Sequence, residues 1–200
     1  MSINLYRLKP ASLRAVEPLV AFCLRRGVQP DTLTLLAVPV ALAGAVAIGV
    51  SPLLPGLLLL VPVAAALRLV LNLLDGAVAR RTGASHPRGE LYNEIGDRVG
   101  DVLLLGAPAL VPDVEGRAVL LGVLLAVLAS YVGITVRAAG GRRLYHGILA
   151  KPGRMVLLAV AAPLSLAAGP VAWNGYAVVL IVGAALTFAA RSRTALRDLA

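Results

Sequence analysis

The sequence predicts an all-α integral membrane protein: six transmembrane helices preceded by an amphipathic surface helix, with both termini in the cytoplasm. Three observations carry that prediction. Of the 200 residues 59% are hydrophobic, and the mean hydropathy is +0.87; soluble domains are roughly 45–50% apolar. Apolar runs of about 20 residues, enough to cross the hydrocarbon core, recur along the chain between segments rich in Pro, Gly and charge. The basic residues concentrate on alternate connections, the pattern that sets orientation in a bilayer. About six crossings use up the chain, so no soluble domain is expected beside them, and residues 1–200 are read as a single transmembrane domain.

The elements follow in order. Residues 10–26 set Leu13, Val16, Leu19, Val20 and Cys23 against Arg14, Arg25 and Arg26, which reads as a helix lying on the membrane surface. The first crossing opens at Pro30-Asp31-Thr32 and covers about 31–50, where SPLLPG makes a turn. The second covers about 57–81 and carries Asp75 near its end. After the loop TGASHPRG the third covers about 89–112, and PDVEG turns into the fourth at about 117–138. AAGGRRLYHGILAKPGR is a polar connection, with Gly140-Gly141 as its hinge. The fifth and sixth crossings are expected at about 154–168 and 173–190, followed by a basic tail.

Net charge is +9, and of 19 basic residues only Lys9 and Lys151 are lysines. In so apolar a chain this balance points to cytoplasmic loops and an anionic lipid surface rather than to nucleic acid. Arg7, Lys9, Arg14, Arg25 and Arg26 precede the first crossing. Arg80, Arg81 and Arg88 separate the second from the third, and Arg142, Arg143, Lys151 and Arg154 the fourth from the fifth. Arg191, Arg193 and Arg197 follow the sixth, leaving Arg117 alone on the other side. Cys23 is the sole cysteine, so no intrachain disulfide is expected. VAFC at 20–23 has a bulky Phe22 where a lipoprotein cleavage site needs a small residue, and Glu17-Pro18 interrupts the only early apolar run, so no cleaved signal is expected.

One stretch breaks the hydrocarbon: NLLDGAVARRTGASHPRGELYNEIGDRVGD, residues 72–101. A charge at the bilayer centre costs at least about 2.5–3.5 kcal/mol, so these acids and arginines need a reason. The orientation puts them at the cytoplasmic membrane boundary. Asn72, Asp75, Gly76, Ala79 and Arg80 fall at i, i+3, i+4, i+7 and i+8 of the second helix and share a face; Gly89, Asn93 and Asp97 share one on the third. Two helices joined by a short loop are expected to be antiparallel neighbours with these faces enclosing a cavity. Its carboxylates and amide oxygens suit a hard divalent cation, Mg²⁺, Mn²⁺ or Ca²⁺. Gly76 and Ala79 leave room for close approach, and Arg80 offers a fork for phosphate.

These residues resemble the signature of the CDP-alcohol phosphotransferases, D-x2-D-G-x2-A-R-x8/9-G-x3-D-x3-D. Asp75, Gly76, Ala79, Arg80, Gly89 and Asp97 match in identity and spacing. Six crossings, the N-terminal surface helix and Pro30-Asp31-x2-Thr34 are similar to the family as well. Asn72 and Asn93 stand where the signature has its first and third aspartates, a pairing (NLLDG with NEIGD) that reads as a coherent variant. The resemblance implies transfer of a phosphatidyl or similar group from a CDP-linked lipid, such as CDP-diacylglycerol, to a small polar or phosphorylated alcohol, with release of CMP. It implies one or two Mg²⁺ or Mn²⁺ ions on Asp75, Asp97, Asn72 and Asn93, with Asp97 as the general base. Asp31, Thr34, Gly76, Ala79, Arg80 and Gly89 would bind CDP, and Arg137, Lys151 and Arg154 the acceptor. A homodimer in the bacterial cytoplasmic membrane, its site facing the cytoplasm, is the implied setting. The competing readings are a catalytically weakened relative that binds CDP-lipid or serves as a scaffold, and a small transporter or channel.

Around that core, Arg68 and Asp101 each lie one turn deeper than Asn72 and Asp97 and are expected to pair, with Asp101 as a third metal carboxylate the alternative. Lys151 and Arg154 are equally accounted for as orientation charges. Glu90 and Glu94 are read as loop-side or interface residues, His86 as solvated, His146 as facing the cavity, and Tyr92 and Tyr131 as cavity, packing or interface residues.

Overall fold

A computed structural model describes residues 14–84 and 86–199, so Arg7, Lys9 and Leu13, expected in or before the surface helix, lie outside the described residues. The described chain is helical throughout its regular structure. Helices are α1 (Glu17–Arg25), α2 (Pro30–Val50), α3 (Leu60–Thr82), α4 (Pro87–Gly106), α5 (Gly116–Ala138), α6 (Lys151–Ala168) and α7 (Pro170–Asp198), with 3-10 turns at Pro55–Leu59 and Ala107–Leu110.

Five segments are long and apolar enough to cross a membrane: Pro30–Val50, Pro55–Thr82, Gly116–Ala138, Lys151–Ala168 and Pro170–Asp198. The expected third crossing, α4, falls outside that set because it carries Arg88, Glu90, Glu94, Asp97, Arg98 and Asp101. The surfaces of the others bristle with exposed leucine and valine, among them Leu35, Leu42, Val46, Leu60, Leu120, Leu124, Val160 and Val178. Such an apolar exterior is what lipid requires and water does not tolerate over so large an area. The chain is therefore a multi-pass membrane protein.

The core lies between the helices and is built from small residues and a few large anchors. Ala41, Ile48, Val61, Leu104, Leu105, Val119, Leu158, Trp173, Tyr176 and Leu180 form one buried cluster. Tyr176 donates its hydroxyl to the carbonyl of Leu105 at 3.0 Å, satisfying the one polar atom it brings inside. Close crossings depend on glycine: a Cβ at Gly44 would meet Leu104 Cδ1 at 2.7 Å, and one at Gly122 would meet Leu180 Cγ at 2.9 Å. α1 packs on α3 through Val20 and Cys23 against Leu74 and Val78.

Two expectations are corrected. The last helix does not stop near 190: α7 runs on through RSRTALRD, because Ala195 is buried against Val136 and Leu144. At about 1.5 Å per residue its 29 residues span roughly 43 Å, well beyond a hydrocarbon core of about 30 Å. Nor do α3 and α4 pack as neighbours. Both lie against α2, where Gly96 admits Val38 and Thr34, while their own backbones approach each other little. α3 ends at Gly83, whose φ of +67° is the left-handed conformation that closes a helix, and His86 then caps α4. The space left between α3 and α4 is where the polar residues of both helices meet.

Candidate active site

Long polar side chains bridge α3 and α4 in two rungs. In the deeper rung Arg68 Nη1 lies 2.6 Å from Asp101 Oδ1, and Arg154 from α6 reaches Asp101 Oδ2 at 2.8 Å. All three residues are 1% exposed. A buried charge is tolerable only when it is paired and hydrogen-bonded. Here Asp101 holds two guanidiniums, and Arg68 also donates to the Asp97 carbonyl at 2.9 Å. The expected Arg68–Asp101 pair is present, with Arg154 as a third member that the sequence did not suggest. Gly100 makes the pair possible, since a Cβ there would stand 2.6 Å from Arg68 Nη2.

In the outer rung Asn72 Nδ2 donates to Asp97 Oδ1 at 3.0 Å, and Lys151, the first residue of α6, places its Nζ on the same oxygen. Arg98 Nη2 lies 3.6 Å from Asp97 Oδ2. Asp75 is held separately: its Oδ2 accepts from Thr34 Oγ1 of α2 at 2.9 Å, and its Oδ1 meets the Gly76 N–H. The carboxylates of Asp75 and Asp97 thus sit in different company, one among neutral donors, the other among cations.

Two cavities share this region. The first, about 470 Å³, is lined by Asp31, Thr34, Gly76, Ala79, Gly89 and Arg137 among others. The second, about 420 Å³, is lined by Asn72, Arg80, Asp97, Arg98, Lys151 and Arg154 among others. Asp75, Gly76, Asn93, Arg143 and Tyr145 line both, so the cavities meet along that wall. Glycine opens it at two points. A Cβ at Gly76 would come within 3.2 Å of Arg80 Nη1, and one at Gly89 within 2.9 Å of Asp31 Oδ1. Five of the six residues expected at CDP therefore line the first cavity, and Arg80 lines the second.

Of the three residues expected to hold the acceptor, Lys151 and Arg154 both line the second cavity, and Arg137 lines the first. Lys151 is on Asp97. Arg154 is buried on Asp101, which needs a counter-charge more than a surface site would. Arg137 is exposed at the mouth of the first cavity, 2.9 Å from Glu90. Nor is Asp101 open to a metal, since both its oxygens face guanidinium. His86 is not simply solvated: its Nε2 is 3.3 Å from Asp31 Oδ2 and its Nδ1 accepts the Gly89 N–H at 3.0 Å. His146 turns away, its Nε2 3.2 Å from Thr194 Oγ1. Glu94 pairs with Arg143, and Tyr92 and Tyr131 are exposed without lining either cavity.

Sequence reasoning missed Arg98, Arg143 and Tyr145. The last two belong to the connection before α6. That connection is held in place by Arg191, whose guanidinium donates to the carbonyls of His146 (2.7 Å), Ala129 (2.7 Å) and Tyr145 (3.0 Å). Arg143 also stacks over the Tyr145 ring at 5.0 Å. The second cavity as a whole counts two carboxylates against six cationic side chains, a wall made for an anion.

A divalent ion fits one side of this site. Asp75 offers a carboxylate, and Asn72 and Asn93, which line the second cavity with it, carry amide oxygens, the donor type hard cations take. Asp97 already carries the Lys151 ammonium, which an ion held there would have to displace. Among the described residues no three His, Cys, Asp or Glu side chains gather as a metal cluster.

No family model matches the chain. It is 26% identical over 155 residues to the inner membrane protein YnbA of Escherichia coli, covering 78% of this chain and 77% of that one. It is 31% identical over 155 residues to a phosphatidylinositol phosphate synthase of Streptomyces avermitilis, covering 74% of this chain and 62% of that one. Among solved structures it resembles the phosphatidylinositol phosphate synthase of Mycobacterium tuberculosis with CDP-DAG bound, with a TM-score of 0.73, 24% identity, and 91% of this chain and 94% of that chain covered. The same enzyme in complex with manganese and citrate matches with a TM-score of 0.73 and 23% identity over 90% of this chain and 88% of that one. At that identity the likeness to the solved structures establishes the fold.

Proposed function

This chain belongs to the CDP-alcohol phosphotransferase family, and on that premise we propose that it transfers the phosphatidyl group of a CDP-linked lipid, such as CDP-diacylglycerol, to a hydroxyl acceptor and releases CMP. The observation that carries the reading is the meeting of two cavities along Asp75, Gly76 and Asn93. Two substrates that exchange a phosphorus need two pockets with one common wall, and the family's signature residues form that wall.

The nucleotide end of the donor lies in the first cavity, against Asp31, Thr34, Gly76, Ala79 and Gly89, with Arg80 forked on phosphate. A divalent ion on Asp75, with Asn72 and Asn93 as neutral donors, neutralises charge on the pyrophosphate when bound. The acceptor enters the second cavity, whose Arg98 and Lys151 suit a phosphorylated or strongly polar alcohol. Asp97 Oδ1 is occupied by Asn72 and Lys151, so Oδ2 is the oxygen that takes the proton of the acceptor hydroxyl. The hydroxyl oxygen bonds to the lipid-side phosphorus, the bond from that phosphorus to the bridging oxygen breaks, and CMP departs with that oxygen. Arg68 fixes the Asp97 backbone from below.

The setting we propose is the bacterial cytoplasmic membrane, with α4 crossing as the third of six membrane helices, both termini and the site on the cytoplasmic side, and a homodimer as the assembled form. α4 can cross because Asp101 is covered by Arg68 and Arg154, and its other acids lie toward the boundary. The clamping of Asp97 by Lys151 favours one competing reading, a relative that binds CDP-lipid without turnover. Reconstituted protein supplied with CDP-diacylglycerol, Mg²⁺ or Mn²⁺ and a panel of polyols and phosphorylated polyols separates the two: CMP release supports transfer, and tight CDP-lipid binding without CMP release supports the relative.

A further inference from the structure

We propose that this site holds a single divalent ion, at Asp75, and that the ammonium of Lys151 occupies the position on Asp97 where a second ion would sit. The inference rests on the transfer reading but concerns only how the site supplies its positive charge. Four observations converge on it. Lys151 Nζ and Asn72 Nδ2 both lie on Asp97 Oδ1, so that oxygen already accepts from two donors. Arg98 stands 3.6 Å from the other oxygen, and its Nε and Nη1 are buried without a hydrogen-bond partner, leaving a guanidinium with unspent donors at the same place. Residues 72 and 93, one turn from Asp75 and Asp97 on the two helices, are amides, which coordinate without contributing charge. Asp75, by contrast, has only Thr34 and the Gly76 N–H on its oxygens.

The electrostatic sense is consistent. The pocket has two carboxylates, and one of them already carries a lysine ammonium that a second ion would have to displace. Amides at 72 and 93 beside a fixed ammonium keep the pocket attractive to a pyrophosphate and place part of the positive charge on the chain itself rather than on a dissociable ion. Lys151 is placed for this by its position at the first turn of α6, two helices away from Asp97 in sequence, where Pro152 and Gly153 follow and the helix axis fixes its base. Three residues on, Arg154 anchors the same turn to Asp101.

The test is the manganese stoichiometry of the full chain in phosphatidylcholine nanodiscs, read by electron paramagnetic resonance against empty discs and without CDP-lipid. The parent chain should bind one equivalent, which Asp75→Asn should abolish. Lys151→Met should bind a second equivalent, and adding Asp97→Asn to it should return the count to one. Two equivalents or none in the parent chain, one retained in Asp75→Asn, or no second one in Lys151→Met would overturn the proposal. CMP release from CDP-diacylglycerol by the same preparation reports separately on the transfer reading: a one-ion chain that never releases CMP contradicts transfer and leaves the ion count standing.

Discussion

Arg68 and Asp101, 33 residues apart on helices whose backbones barely meet, are joined at 2.6 Å with both side chains 1% exposed. This bond sets the width of the cleft above it. Because Arg154 grips the other Asp101 oxygen at 2.8 Å, the three residues tie α3, α4 and α6 together directly beneath the outer rung.

The third member changes what a charge swap should do. Asp101→Asn leaves two buried guanidiniums without a counter-charge and should cost about 3–5 kcal/mol, read as a large drop in melting temperature in detergent. Arg68→Asp combined with Asp101→Arg restores the first pair but sets an arginine at 101 against Arg154. The double variant should therefore melt no higher than the worse single one; recovery to the parent value would take Arg154 out of the network.

Gly100→Ala tests how the pair is accommodated. The added methyl would stand 2.6 Å from Arg68 Nη2 and 2.8 Å from Nε, and overpacking of this kind costs about 1–3 kcal/mol. A methyl added at Gly175, also helical, would meet nothing within 4 Å, so Gly175→Ala should leave melting unchanged or slightly raised. Equal melting of the two variants would contradict the close approach at Gly100.

Thr34→Val removes the hydroxyl that holds Asp75 Oδ2 and keeps the shape. A hydrogen bond of this kind is worth about 1 kcal/mol, so kcat/KM should fall about fivefold with little change in melting. No change in kinetics would mean that Thr34 does not position Asp75.

Chelation of divalent ions should abolish CMP release, and Mg²⁺ or Mn²⁺ should restore it. Full activity in the chelator would show that Lys151, Arg98 and Arg80 suffice to neutralise the pyrophosphate and would remove the ion from the account.

Much of this was legible in the sequence because helices enforce period. The i, i+3, i+4 spacing of Asn72, Asp75 and Gly76 and the four-residue spacing of Gly89, Asn93, Asp97 and Asp101 place those residues on one face whatever the rest of the chain does. The same regularity exposed the Arg68–Asp101 pair. What it could not show is how far apart the two faces stand, since that depends on α2 wedging both helices. Nor could it place Arg98, whose role arises from the cleft rather than from spacing, or Arg143 and Tyr145, which lie in an irregular connection held by Arg191 from α7, some 46 residues away. Arg154 misled because a basic residue at a helix start reads as a loop charge; only burial against Asp101 identifies it as structural. Helix α7 outran its expected end because amphipathic packing of Ala195 continues after the apolar run stops.

The most direct test of the account is CMP release by the reconstituted chain from CDP-diacylglycerol, with Mg²⁺ or Mn²⁺ and a panel of hydroxyl acceptors, compared with Asp97→Asn and Asp75→Asn. The account predicts acceptor-dependent CMP release that both substitutions abolish while the proteins still melt cooperatively. Tight CDP-diacylglycerol binding with no CMP released for any acceptor, or release undiminished in Asp97→Asn, would contradict it.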